Sequence, residues 1–471
     1  MKTVAGLANQ RDRLRAASWV ESEPAEITAF RRADSSLTGV RNRRLHRFYM
    51  LTLALIPACD SLWSPYLEPC DPKRPMCLEG VAPEPQLLPS NGIAPDWFGE
   101  AKAELAPTEN LVIDTDQGTV TTAVGNRRLM DVSYHQLAPA DCGEGWMVGV
   151  GVFGFTKIRI LDGIRVRFTG LRAAALIAPG AIEIEGLLDL RGGMTECTDV
   201  RCGGPGGFAG GFVQFPAPKG DGPGAGVWGY GIGGLGDEAG GGGGGACGNG
   251  GKGGEAGAGY PAGSGGGAYQ RQTLIPLCGG SGGGSGGPGN SGGDPGQRGG
   301  GGGGAIQIVS QKSVSISSTN SMPSGIQAGG SGGQGDQGVN FNDGGGGGGS
   351  GGAILIEAPK ISISSGAVLA VNGGGGGGGF NNGSSTNHGE SASLSSTAAA
   401  GGPGIRSGGA GGAGSTLHGS DAAGPIGDGG GGGGGGVGRI RLNSLDGTVT
   451  VSGELSPAIG DCASLGRLTL R

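Results

Sequence analysis

Aromatic side chains are scarce in this sequence, at 5% of 471 residues, and long stretches carry nothing large enough to bury. A large conventional hydrophobic core is therefore not expected. Past residue 58 no apolar run is long enough to span a bilayer as a helix. No strict Gly-X-Y frame persists, and with only 26 prolines collagen is excluded. Close Cys-x2-Cys pairs are missing, and His135, His388 and His418 are scattered, so no metal centre and no cofactor is expected. Basic patches are missing too. Residues 1–58 carry net +5 against −6 for the whole chain, which leaves −11 for the remainder. An acidic body of that kind argues against a nucleic-acid partner.

Glycine is what the sequence has in excess. There are 116, of which 16 fall in residues 1–190 and 100 in residues 191–471. The chain thus divides into an ordinary front and a glycine-dominated back.

The front carries an address. From Arg41 a basic run meets an apolar run from Phe48 to Pro57, followed by a small residue, the layout of a secretory signal. Leu55-Ile56-Pro57-Ala58-Cys59 resembles a bacterial lipobox, in which the cysteine is diacylated and becomes the mature N-terminus. Residues 1–58 are thus read as an extension plus lipoprotein signal, and Cys59 as the lipidation site. The expectation is an exported protein, lipid-anchored to the bacterial outer membrane or cell surface. Nine cysteines are present, and lipidation of Cys59 leaves an even eight for oxidising surroundings. These are Cys70, Cys77, Cys142, Cys197, Cys202, Cys247, Cys278 and Cys462. Proximity along the chain suggests Cys70 with Cys77, Cys197 with Cys202, Cys247 with Cys278, and Cys142 with Cys462.

Residues 59–107 are proline-rich and read as a semi-extended tether. Residues 108–193 alternate as strands do, with Leu111-Val112-Ile113 and Thr119-Val120-Thr121 on either side of a turn at Asp116-Gln117-Gly118. Residues 194–304 are glycine-rich. Residues 305–471 return to short strands with glycine-rich inserts. Four segments share one plan, beginning at Ala175, Ala305, Ala353 and Gly438. Each has two or three very short alternating strands, too few to close a core alone. Stacked copies can close one, so the expected fold is mainly β, with irregular parallel β-solenoid coils and few or no helices in the mature body. Ile306, Ile308, Val314 and Ile316 should then stack under Ile354, Ile356, Ile361 and Ile363, with Leu355 and Ser362 outward. Glu357, Asp336 and His388 should be solvated surface groups whose removal is nearly neutral.

The glycine tracts between these segments admit two readings. They are flexible loops, or they are polyproline-II-type polyglycine helices packed side by side, which need glycine at every third position of a packed face. Gly242, Gly245, Gly248, Gly251, Gly254 and Gly257 meet that need, as do Gly280, Gly283, Gly286, Gly289 and Gly292.

The run from Gly344 to Gly352 into Ala353-Ile-Leu-Ile-Glu-Ala-Pro, Ala370-Val-Asn-Gly-Gly, and Gly438-Arg-Ile-Arg-Leu together resemble the PGRS-like, glycine-rich surface lipoproteins of Gram-negative bacteria. The resemblance covers roughly residues 105–460. It implies a tether leading into strand coils that alternate with glycine tracts, and it implies no established activity.

Chemistry is thin. Gly-x-Ser-x-Gly occurs around Ser281, Ser285, Ser291, Ser331 and Ser350, but a nucleophile elbow needs a strand before and a helix after it, and the flanks here are glycine. The stretch Gly332 to Asp336 stands alone and lacks the tandem pattern of calcium-binding repeats. Glu183, Glu185, Asp189 and Glu357 are scattered charges, read as solvated outward positions. The expected function is a non-catalytic cell-surface structural lipoprotein, a spacer, coat or adhesive component, with no catalytic residue. Its expected partners are the membrane, through the lipid, and surface polysaccharide. The alternative is a β-solenoid protein that binds or cleaves polysaccharide.

Overall fold

The computed structural model describes residues 86–471, apart from 125–126, 129–131, 194–202, 213–218, 232–237, 258–259, 288–295, 320–323, 336–342, 380–387 and 424–428. Cys59, Cys70, Cys77, Cys197, Cys202, Ser291 and Asp336 lie outside the described residues.

The protein is mainly β, with parallel sheets and two short 3-10 turns, Ser90–Gly92 and Pro95–Glu100. The strands are β1 (Leu87–Leu88), β2 (Leu111–Asp114), β3 (Thr119–Thr122), β4 (Ser133–Asp141), β5 (Met147–Gly154), β6 (Ile158–Ile160) and β7 (Arg165–Thr169). Then come β8 (Ala173–Ala178), β9 (Ile182–Ile184), β10 (Leu187–Asp189), β11 (Ala305–Ser310), β12 (Val314–Ile316), β13 (Ser324–Gln327) and β14 (Ala353–Glu357). The last are β15 (Ile361–Ile363), β16 (Ala367–Ala370), β17 (Arg439–Ser444), β18 (Thr450–Val451), β19 (Glu454–Ser456), β20 (Ala463–Arg467) and β21 (Thr469–Leu470).

They form three main sheets. Sheet I has the order β3-β2-β7-β10-β13-β16-β19, sheet II β4-β5-β8-β11-β14-β17-β20, and sheet III β6-β9-β12-β15-β18. From β5 to β20 the chain visits sheets II, III and I in turn, over and over, and every pairing between successive visits is parallel. Hairpins start two of the sheets, because β2 with β3 and β4 with β5 pair antiparallel.

Alternation along each strand explains the core. Inward residues of successive visits stand in register, so like packs on like. Ile158, Ile182, Val314 and Ile361 form one column in sheet III. In sheet II, Ile306 pairs with Ile354 and Ile308 with Ile356, as the repeats lead one to expect. Val166, Leu188, Ile326, Leu369 and Leu455 line sheet I. All of these are buried in one cluster.

Each glycine-rich insert leaves sheet I and re-enters sheet II: after β10 before β11, after β13 before β14, and after β16 before β17. The inserts therefore accumulate at one corner, where they pack against one another.

The outer face of sheet II is covered. Leu87, Ile93 and Phe98 are buried against Val148, Val150, Val152, Val309 and Leu355. Leu355, expected outward to solvent, is thus 0% exposed. It does point away from the inner core, but residues 86–100, read from their prolines as part of a tether, lie across it. That strap starts at the far end of the stack, where β1 pairs antiparallel with β21. There Gln86 and Arg471 exchange two backbone hydrogen bonds of 3.1 Å.

Candidate functional site

The glycine tract 344–352 shows how the corner is built. Its N–H groups point in three directions with a period of three. Gly345, Gly348 and Gly351 donate to Gly430, Gly433 and Gly436. Gly346, Gly349 and Gly352 donate to Gln334, Ser331 and Ala328, and Gly347 and Ser350 donate to Gly284 and Ser281. The carbonyls accept from three further tracts: Gly345 from Gly241, Gly346 from Gly377, and Gly347 from Gly300. These bonds measure 2.8–3.0 Å. One tract is thus bonded to six neighbours, and its backbone groups pair almost entirely with other backbones, the Gly352 carbonyl also accepting from Gln270 Nε2 at 3.2 Å.

This arrangement demands more glycine than one packed face would. A Cβ added at Gly345, Gly346, Gly347 or Gly348 would fall on the carbonyl oxygen of Gly377, Arg298, Gly242 or Gly374 respectively. Four successive positions are closed, because neighbours stand on all sides. Of the row from Gly280, the described members Gly280, Gly283 and Gly286 do face one tract, at Gly351, Gly347 and Gly344, while Gly289 and Gly292 lie outside the described residues. The other row is split, since Gly242 and Gly245 meet Ser264 and Gly266 whereas Gly248 and Gly251 meet Leu417 and Ser420. The chain turns back near Ala246, whose N–H bonds to the Gly248 carbonyl.

The serines of the Gly-x-Ser-x-Gly pattern sit inside this array. Ser281, Ser285, Ser331 and Ser350 are 0% exposed. The hydroxyls of Ser281, Ser331 and Ser350 bond backbone, as a carbonyl would. Gly224 N–H donates to Ser281 Oγ at 3.0 Å, Ser281 N–H to Ser350 Oγ at 2.8 Å, and Gly301 N–H to Ser331 Oγ at 2.7 Å. Serine is the smallest residue that can both fit such a gap and supply an acceptor.

The disulfides join elements that the sequence keeps far apart. Cys142 pairs with Cys278 and Cys247 with Cys462. The pairing by proximity, Cys247 with Cys278 and Cys142 with Cys462, is thereby corrected. Folding-back of the glycine tracts carries Cys278 to the β4–β5 turn and Cys247 to the last strands, where its N–H bonds to Val437.

Two of the four scattered acids are not solvated. Glu357 is 2% exposed. Its oxygens accept from Ser90 N–H at 3.0 Å, Ser90 Oγ at 2.6 Å, Gln307 Nε2 at 2.7 Å and Asn443 Nδ2 at 3.3 Å. Asn91 Nδ2 in turn donates to Gln307 Oε1 at 3.0 Å. The expectation of a free surface carboxylate at Glu357 is thus corrected, again because the strap covers sheet II. Loss of either neighbour on β14 should be felt. Ile356→Ala should cost about 2–5 kcal/mol through the cavity it leaves. Glu357→Ala should cost about 1–3 kcal/mol by stranding its donors. Urea unfolding of the two variants measures both, and a Glu357→Ala protein as stable as the parent would mean that the strap does not rest on this carboxylate.

Asp189, the second buried acid, has a side chain that is 0% exposed and is ringed by Arg165, Arg167 and Arg191. Burial pushes its carboxyl up, and the hydrogen bonds and charge of Arg191, with the charge of Arg165, more than offset this and hold it below the usual carboxylate value. Glu183 is more open and pairs with Lys157 at 3.6 Å and Arg159 at 3.5 Å. Glu185 is half-buried at a turn, and Ser362 is partly exposed on sheet III. His388 is half-buried, its Nδ1 accepts from Gly335 N–H at 3.1 Å, and burial pushes its imidazole down. His135 stacks on Trp97 of the strap at 4.2 Å and meets Glu100 at 3.0 Å.

A cavity of about 320 Å³ opens beside the first strands, floored by Leu105, Leu111, Val120 and Phe155, with Glu109 and Arg127 at 3.1 Å from each other on its lining. Another, of about 210 Å³, lies in the glycine-rich part among Lys252, Glu255, Arg406 and Asp421. Among the described residues no three His, Cys, Asp or Glu side chains are grouped to hold a metal ion. No protein-family model, no curated protein and no solved structure matches this chain.

Proposed function

We propose that this protein is a non-catalytic surface lipoprotein, of the PGRS-like kind that its sequence resembles, serving as a rigid spacer, coat or adhesive component. Its body is read as a β-solenoid, each circuit of sheets II, III and I being one coil. The glycine corner is read as a bundle of polyglycine helices of the polyproline-II type, whose three residues per turn match the period of three in the hydrogen bonds. The observation that carries the reading is that bundle. Its interior presents mostly backbone to backbone, and the buried hydroxyls of Ser281, Ser331 and Ser350 bond to backbone, so those side chains serve rigidity. A large share of the chain thus builds a stiff body without gathering reactive groups.

In this reading Cys59 holds the protein to the membrane and the residues after it set the body off from the lipid surface. Replacing Cys59 with serine should move the protein from the membrane fraction to the soluble exported fraction. Fractionation of cells that express each form tests this, and a processed Cys59→Ser protein that stays in the membrane fraction would rule the lipid anchor out.

A further inference from the structure

We propose that the outer face of sheet I, over β7 and β10, binds an acidic polysaccharide, and that Arg165 and Arg167 hold its carboxylates beside Arg191. Alternation in β7 sends Val166 and Phe168 into the core and turns Arg165 and Arg167 outward, with side chains 40% and 43% exposed. Across the register Arg167 faces Asp189.

One arginine is enough for that aspartate. Arg191 makes a forked pair with it, Nε to Oδ1 at 3.0 Å and Nη2 to Oδ2 at 3.1 Å, which neutralises the charge and occupies both oxygens. The other two guanidiniums are in excess. Arg165 reaches Asp189 through Nη2, while its Nε is buried and has no partner. Arg167 comes no nearer than 3.8 Å, an ion pair without a hydrogen bond. Three cations around one anion leave a local surplus of positive charge on a body whose overall charge is negative.

The geometry fits repeated carboxylates. Two residues apart on one face of a strand, Arg165 and Arg167 are spaced by about 7 Å, so they form a short row instead of a single point. The planar guanidinium fork suits carboxylate pairing. A duplex nucleic acid, with a charge every ~1.7 Å, asks for a wider basic surface than this row within an acidic body.

The site goes beyond the surface-lipoprotein reading and does not depend on lipidation, so its failure would leave that reading standing. The test is electrophoresis of the purified full chain through gels containing polygalacturonate, neutral dextran or single-stranded DNA. Polygalacturonate should retard the protein, less so as salt rises, and dextran and DNA should not. Arg165→Gln/Arg167→Gln, which leaves the Arg191–Asp189 pair in place, should weaken binding roughly tenfold or more, about one decade in the dissociation constant. Asp189→Asn should bind at least as tightly as the parent. If the double variant melts early, Arg167→Gln alone gives the reading, since that side chain holds no hydrogen bond among the described residues. Equal retardation by dextran, stronger retardation by DNA, or unchanged binding by the variants would overturn the proposal.

Discussion

Alanine at Gly347 should stop the glycine bundle from closing, at a cost of about 3–9 kcal/mol. The added methyl meets the carbonyl oxygen of Gly242, a main-chain atom that cannot rotate away. Relief requires the two tracts to part, and parting strands the Gly284 N–H that Gly242 accepts and the Gly284 carbonyl that Gly347 uses. Overpacking alone typically costs about 1–3 kcal/mol, and each buried polar group left unpaired a similar amount. Gly99 is the control. It is exposed and a methyl there meets nothing within 4 Å, so Gly99→Ala should lie within about 0.5 kcal/mol of the parent. Chemical denaturation of the two variants separates them, and a Gly347→Ala protein as stable as the control would mean that the tracts are not closely packed.

Removal of the disulfides should be as severe. Cys142 and Cys278 are 136 residues apart, and Cys247 and Cys462 are 215 apart. In the loop-entropy model, loops of that size are worth about 5 kcal/mol each. The effect matters more here than in an average chain, because glycine loses the most freedom on ordering. The two bridges also bind the glycine tracts to both ends of the strand stack. Melting with and without reductant, together with thiol counting on the native protein, measures this. An unchanged melting temperature after full reduction would show that the bundle is held by its hydrogen bonds alone.

Much of the strand framework was legible because alternation repeats. Ile306, Ile308, Ile354 and Ile356 announce inward positions by their spacing, and the structure stacks them as expected. Period-three glycine was also legible at Gly280, Gly283 and Gly286. What could not be read was what lies on the far side of each element. Leu355 and Glu357 share a strand with Ile354 and Ile356 and sit at the opposite parity, which in an open sheet means solvent. Their burial depends on Ser90 and its neighbours, more than 260 residues earlier, in a segment whose prolines mask its docking residues Leu87, Ile93 and Phe98. The cysteine partners were hidden for a related reason. Glycine tracts carry no side-chain pattern to say which tract lies beside which, so nothing local tells Cys247 that its neighbour is Cys462. Asp189 was misread by composition, since the arginines that surround it come from β7 and from two residues on.

A homopolymeric tract also holds no record of its own register. In the bundle, Gly352 and Gly438 are fixed because Ala353 and Arg439 enter strands directly after them. A glycine codon gained by replication slippage anywhere within 344–349 therefore yields the same chain, with the extra residue absorbed at the end away from the sheet. In the proposed polyproline-II form, that end moves out by about 3 Å and turns by a third of a revolution, and three added glycines restore its heading about 9 Å farther out. Tract length can thus drift in the gene while the strand stack and its disulfides stay as they are.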